Sequence, residues 1–214
     1  MIVSKAKPFE AVLAMLRGVR KVGLVGCKSC ASACAVGGEK ECEAMKEALE
    51  ANGFEVVGIV MPDESCHKML LRRELKPLTA AGAEALVSLA CGSGCQTVAE
   101  NVKISVYPAN DTIFVGQTER VGIFHEMCRT CGDCVLGEIG GICPMTKCAK
   151  SLVNGPCGGQ KNGKCEVDPE NDCAWILIYK RLEALGQLNK MEKTLDDHSS
   201  RTYPMSVNVR EAKK

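Results

Sequence analysis

Apolar and polar positions alternate with two different periods over the first half of this chain. Phe9, Val12, Leu13 and Leu16 recur at helical spacing, which predicts an amphipathic helix over residues 1–20. Residues 21–26 (KVGLVG) form a short apolar run closed by glycine, and a helical pattern over 39–52 stops at Gly53. Strand patterns return at 54–60 (FEVVGIV), closed by Pro62, and at 85–90 (ALVSLA). Between them residues 67–75 are helical, with Pro77 beyond their end, and 96–100 open a third helix. Residues 104–107 and 112–115 add one or two further strands. Strands alternating with helices at this spacing predict an α/β domain, a small parallel-sheet Rossmann-like unit over 1–120.

The pattern then fails. From about Glu126 to Cys173 the chain is rich in glycine and cysteine and poor in periodic apolar residues. Such a segment cannot bury a normal core, so metal cross-links are expected to hold it together. Asn171 or Asp172 is placed to cap a last helix in which Trp175, Ile178, Leu182 and Leu185 share a face. The expected organisation is therefore 1–120, a cysteine-rich domain over 121–190 ending in a helix, and a polar extended tail over 191–214.

Composition changes this picture at one residue type. With 27 Lys+Arg against 26 Asp+Glu the net charge is +1, and aromatic residues are 4% of the chain. Neither a broad basic surface nor a base-stacking platform is indicated, so nucleic acid is not an expected partner. No apolar stretch approaches the length of a membrane span. Cysteine is the exception: there are 15, eight of them between Cys128 and Cys173. The N-terminal residues lack the apolar core and cleavage site of a secretory signal, and an odd count leaves one thiol unpaired in an oxidising compartment. A cytoplasmic location with cysteines that bind metal is expected over disulfides.

The cysteines fall into two constellations. In a parallel sheet, ligands bind beyond the carboxyl ends of the strands. Cys27, Cys66 and Cys91 follow the first three predicted strands, with Cys30 and Cys34 in the turn after Cys27. Four of these five would suffice for a [4Fe–4S] cluster; a set of merely adjacent thiols is the plainer alternative. In the second half, Cys128-x-x-Cys131-x-x-Cys134 precedes Cys143-Pro144. Three thiols spaced by two residues suit three irons of one cubane, although the fourth comes after eight residues, not the three of a bacterial ferredoxin. Cys128, Cys131, Cys134, Cys143, Cys148, Cys157, Cys165 and Cys173 together match two all-cysteine [4Fe–4S] sites in a ferredoxin-like domain. Structural zinc is the alternative, though no second C-x-x-C pair is present there. Spacing does not say which cysteine serves which site.

Cys42 aligns with Met45 and Leu49 and is expected in the core, and Cys95 at a helix start is left outside the ligand set. The glycines after Cys91, Gly92 and Gly94, are expected to turn backbone amides toward cluster sulfurs. Residues 158–164 (GGQKNGK) match the front of a phosphate loop, but Cys165 stands where Ser or Thr would hold magnesium, and no strand precedes it. Of the three histidines, His67, His125 and His198, His125 lies three residues before Cys128, where it could tune or ligate a cluster, and a surface role is the simpler reading for it. No catalytic triad or close carboxylate pair is legible, so no catalytic residue is assigned.

Particular residues carry a family resemblance: Cys143-Pro-Met-Thr-Lys-Cys148, then Asn154-Gly-Pro-Cys157-Gly-Gly, Gly163-Lys-Cys165-Glu-Val and Cys173-Ala-Trp175. With Gly26-Cys27-x-x-Cys30-x-x-x-Cys34, Gly37-Gly38-Glu39-Lys40 and Leu89-Ala-Cys91-Gly-Ser-Gly, they resemble the methylenetetrahydrofolate reductase C-terminal family of MetV-type small subunits. The resemblance implies an iron–sulfur electron-transfer subunit of a methylenetetrahydrofolate reductase complex in the methyl branch of the acetyl-CoA pathway. It implies a MetF-type flavoprotein partner carrying FMN, which reduces 5,10-methylenetetrahydrofolate to 5-methyltetrahydrofolate. Electrons would come from ferredoxin or a further electron-input subunit. A zinc-binding scaffold of the same complex, and a cluster subunit of a heterodisulfide-reductase-like assembly, are the alternatives.

Overall fold

The computed structural model describes residues 1–196 together with Ser206 and Val207. His198 and most of the expected tail lie outside the described residues. The chain divides into two compact units, 1–126 and 127–214.

The first unit opens on a strand where the sequence pattern predicts helix. Strand β1 (Ile2–Ala6) precedes a short helix α1 (Phe9–Met15), with Pro8 between them at the helix N-cap. The apolar spacing of Phe9, Val12 and Leu13 belongs to α1 alone. Residues 2–6 are extended because they pair antiparallel with a strand more than a hundred residues later, β6 (Asn110–Arg120), with Val3 opposite Phe114 and Lys5 opposite Asp111. Long-range pairing of this kind overrides local pattern.

Next come β2 (Lys21–Val25), the single turn α2 (Cys30–Ala33), α3 (Glu39–Ala51), β3 (Glu55–Val60), α4 (Lys68–Glu74), α5 (Lys76–Ala80), β4 (Ala85–Ser88), α6 (Gly92–Asn101) and β5 (Ser105–Pro108). Strands β3-β2-β4-β5 form the expected parallel sheet in that order. Strands β6 (Asn110–Arg120) and β7 (Ile123–Cys128) complete a separate three-stranded sheet in the order β1-β6-β7.

Both faces of the parallel sheet are covered, and the period of two along its strands shows it. Val22 and Leu24 of β2, with Ala85 and Val87 of β4, pack with Val12, Leu16, Cys42 and Leu49. Val25 and Leu86 face the opposite cluster, with Leu71, Leu75, Leu78 and Val98. Gly23 sits in this sheet because a Cβ there would come within 2.7 Å of Leu86 and 3.1 Å of Leu78. Cys42 is fully buried, its sulfur 3.5 Å from that of Met61. Burial pushes its thiol up to about 12, so it behaves as a small apolar side chain.

The second unit is sparse in regular structure. It contains the one-turn helix α7 (Pro144–Lys147), α8 (Ala174–Ala184) and a 3-10 turn over Leu188–Glu192. Beyond β7 no strand forms among the described residues; Lys161 and Lys164, and Lys164 and Asp172, make isolated bridges only. These elements do not confirm the ferredoxin-like arrangement expected from the C-x-x-C-x-x-C motif. The loops here leave no continuous ladder to pair. The last helix is capped by Cys173 and not by Asn171 or Asp172: the Asn171 side chain donates to Asp168, and Asp172 pairs with Lys164 at 2.7 Å. Residues 188–195 fold back on this unit instead of opening a tail at 191. Lys190 donates to the Gly137 carbonyl and Lys193 to Glu138, while Leu195 and Asn154 exchange two hydrogen bonds.

Gly37 tests how the sheet edge is closed. Its carbonyl accepts the Cys27 amide at 2.9 Å, and a Cβ on it would press into the Leu89 carbonyl, which is backbone and cannot swing aside. Gly37→Ala is expected to lower the stability of the first unit by about 1–3 kcal/mol, as overpacking does; a denaturant midpoint equal to that of the unsubstituted protein would contradict the packing described. Cys42 should resist alkylation at pH 8 in the folded chain and react at once on unfolding, which mass spectrometry reads directly.

Candidate functional site

Three strand ends build the first candidate site. Cys27 lies two residues beyond β2, its Sγ 4.0 Å from the Asp63 carbonyl. Cys91 is the N-cap of α6, just past β4, and Cys66 ends the loop that follows β3. Ser65, fully buried, donates from Oγ to the Gly26 carbonyl at 2.7 Å and so ties the Cys66 loop to the Cys27 loop. Gly94 allows α6 to approach: a Cβ there would lie 3.0 Å from that of Ser65. Cys27 and Cys91 are buried and Cys66 is exposed. Burial, then the nearby charge of Cys91 and of Cys27, raises the Cys66 thiol above its ordinary value.

The other thiols of this unit take different places. Cys30 and Cys34, one turn apart around α2, bracket β1: the Ile2 amide donates to Cys30 Sγ at 3.4 Å, and Cys34 Sγ donates to the Ile2 carbonyl at 3.8 Å. Cys95, left out of the ligand set by its position in the sequence, stands one turn along α6 from Cys91, with its amide on the Cys91 carbonyl. Burial raises its thiol, a hydrogen bond with the Ser88 side chain opposes this, and the Cys91 charge adds to the rise. The Gly92 amide, expected to face a cluster, is instead donated to Thr112 Oγ1 at 2.7 Å. His125 pairs with Glu119 at 2.6 Å on the exposed β6–β7 hairpin.

In the second unit the eight cysteines separate into two sets of four. Cys128, Cys131, Cys134 and Cys143 line one cavity of about 300 Å³, with Thr130, Gly132 and Met145 among its other walls. Cys148, Cys157, Cys165 and Cys173 line a second, of about 20 Å³, closed by Pro156, Val167 and Trp175. The divider is α7: Cys143 is its N-cap and Cys148 its C-cap, so two cysteines five residues apart face different cavities. Around the larger cavity the Thr130 amide donates to Cys128 Sγ at 3.2 Å, and the Thr146 hydroxyl to Cys143 Sγ at 3.7 Å. Around the smaller one the Gly159 amide donates to Cys157 Sγ at 3.5 Å, and Cys157 Sγ donates to Glu166 at 3.3 Å.

Among the described residues no three His, Cys, Asp or Glu side chains are already drawn in to coordinating distance. An all-sulfur donor set of four suits zinc or an iron–sulfur cluster, and no hard cation.

Two charged residues that the cysteine pattern passes over belong to the smaller cavity. Lys150 and Glu166 both line it and form an ion pair with each other. The Lys150 hydrogen bond, then that of Cys157, holds the Glu166 carboxyl below its usual range. The Glu166 hydrogen bond raises Lys150, and the charges of Cys157 and Cys165 add to that rise. Their separation of sixteen residues carries no motif, which is why the sequence does not announce them.

Residues 107–201 match the family described as methylene-tetrahydrofolate reductase C terminal, a stretch that contains both four-cysteine sets. No curated protein matches the sequence. Among solved structures, a substrate-binding periplasmic protein from Ralstonia solanacearum is similar at 14% identity and a TM-score of 0.32. The likeness covers 47% of this chain and 27% of that one, and it carries no argument about fold or function.

A pH dependence follows from the Lys150–Glu166 pair. A carboxyl whose pKa is depressed on folding contributes stability above its unfolded value and loses it as the pH falls through the folded value. The second unit should therefore weaken as the pH drops below 4.5, the ordinary value for Glu166. In Glu166→Gln that part of the acid sensitivity should disappear from a pH series of melting curves, and an unchanged series would contradict the pairing. The effect is small, because both partners are exposed.

Proposed function

We propose, from the premise that residues 107–201 are a methylene-tetrahydrofolate reductase C-terminal segment, that this chain is an iron–sulfur electron-transfer subunit of a methylenetetrahydrofolate reductase complex. The observation that carries the reading is the cavity of about 300 Å³ walled by Cys128, Cys131, Cys134 and Cys143. Four thiolates around a space of that size suit a [4Fe–4S] cubane, whose ligands are all cysteine. A cluster held there supplies one-electron transfer. Reduction of 5,10-methylenetetrahydrofolate to 5-methyltetrahydrofolate consumes two electrons and two protons, so a flavin such as FMN on a MetF-type partner is needed to combine single electrons into the pair.

The chain's own residues then have three tasks. The thiols of the larger cavity hold the cluster, and the Thr130 amide and Thr146 hydroxyl donate to its sulfur ligands. Hydrogen bonds to ligand sulfur raise a cluster's potential, and the exposure of Cys128 and Cys134 keeps the edge-to-edge path to a partner short. A further site at the sheet edge, drawing on Cys27, Cys66 and Cys91 with Cys30 or Cys34, extends the same reading to the first unit. Ferredoxin or another one-electron donor is the partner proposed on the input side.

The test is metal and redox content. The full chain, purified without oxygen, should contain iron and acid-labile sulfide in equal amounts, about four of each for every cluster. Its visible absorption should bleach with dithionite, and the reduced protein should reduce the FMN of its flavoprotein partner. Cys131→Ala should lose about four irons and destabilise the second unit, because metal binding there is coupled to folding. Stoichiometric zinc with negligible iron at every site would replace this reading with that of a structural scaffold.

A further inference from the structure

The outer side of α4 concentrates positive charge in a chain whose net charge is only +1. Leu71 of this helix and Leu75 at its end are buried in the core cluster beside the sheet. Met69, Arg72 and Arg73, at i, i+3 and i+4, share the opposite side, and Lys76 opens α5 directly after it. Met69 and Leu70 are 76% and 59% exposed. Large apolar side chains left in water and rimmed by charge have the composition of a docking patch.

The charges of the rim are not balanced locally. Among the described residues Arg72, Arg73, Lys76 and Lys103 take part in no ion pair, and Glu74 is the one carboxylate within residues 68–76. Lys68 differs, since it pairs with Glu100 of α6 at 2.8 Å. Lys103 lies just past the end of α6, and with Lys68, Met69, Arg72 and Val102 it lines an open hollow of about 270 Å³. Cations in the last turn of a helix complement its dipole, which accounts for Arg72 and Arg73. It accounts for neither Lys76 and Lys103 nor the two exposed apolar side chains. A second copy of this chain is a poor occupant, because equal cationic faces meeting about a two-fold axis repel. An acidic protein is the occupant that the charge fits.

Position indicates what that protein carries. His67 caps α4, and the exposed Cys66 immediately precedes it. The patch therefore begins beside the thiol that the proposed sheet-edge site presents to solvent. A relay also needs two docking surfaces, one for each partner. The match to the reductase C-terminal family begins at residue 107, so α4 lies outside it. We propose that the α4 face around Met69, Arg72 and Arg73, with the adjoining hollow at Lys103, docks an acidic protein that passes single electrons to the sheet-edge site. This rests on the electron-transfer reading and adds to it the place and the charge of the input partner.

The test mixes the full chain, purified without oxygen, with a reduced acidic ferredoxin in a stopped-flow instrument. Reduction of the chain should slow about tenfold as salt rises from about 0.05 to 0.5 M, and about tenfold in Arg72→Glu/Arg73→Glu at low salt. Met69→Ala should slow it about fivefold and keep the salt dependence. Dithionite needs no docked protein and should reduce every variant within about twofold of one rate. Arg17→Glu/Lys46→Glu makes the same change of charge on the other face of the sheet, where α1 and α3 pack. It should leave the ferredoxin rate within about twofold. An unchanged rate in Arg72→Glu/Arg73→Glu, or an equal loss in Arg17→Glu/Lys46→Glu, would overturn the assignment while leaving electron transfer standing. A chain that dithionite does not reduce would instead sink the electron-transfer reading. Salt-sensitive binding of the ferredoxin, lost in Arg72→Glu/Arg73→Glu, would then still support an acidic protein at this face, and its absence would overturn one. Tighter binding of phosphatidylglycerol vesicles than of the ferredoxin would assign the surface to lipid and overturn the protein partner.

Discussion

Among the described residues of the second unit one cluster of buried hydrophobic side chains, Ile139, Trp175, Ile178 and Leu182, has to hold together a stretch of loops, and much of its chemistry follows from that scarcity. Three of the four lie on one face of α8, so the helix is the single rigid element against which the remainder can be placed. Everything distant from α8 must be pinned by other means: turns at positive φ, single hydrogen bonds, and thiols gathered around shared space. A core this small stabilises little compared with the conformational entropy of ordering the loops. Metal–thiolate bonds make up such a deficit in small domains, where binding free energy is folding free energy.

The two cavities differ in their walls. The set that includes Cys173 shares Trp175 with the core, and the set beginning at Cys128 shares Val135, which packs against that core. One turn of helix, with a cysteine at each end, lies between the two sets. The proline at the first position of that turn has its φ preset for helix and no amide to satisfy, so the turn starts where Cys143 needs it.

The first unit solves a different problem. A parallel sheet buried on both faces has ample apolar core, and its strand ends are free to carry reactive groups. At those ends Ser65 ties the Cys66 loop to the Cys27 loop, and Gly94 lets α6, which Cys91 caps, draw close. The parallel sheet was legible in the alternation of apolar runs with helical segments. The strand at residues 2–6 was not, since its extended form depends on β6 and leaves no local trace. Nor was the place of Cys95 legible: helical geometry puts it beside Cys91, but only burial and the nearness of Ser88 reveal the surroundings.

Taken alone, the sequence determined that cysteine chemistry dominates the second half of this protein, because so few apolar residues there can form a core. It also determined that a parallel α/β sheet precedes it, because apolar periods are written residue by residue. The tertiary structure decided how eight equivalent thiols sort into two sets and how much space each set encloses. Spacing along a loop records the order of ligands but not the direction in which the chain turns. Volume is a property of walls contributed by residues far apart in the chain, and here Trp175, Lys150 and Glu166 supply them.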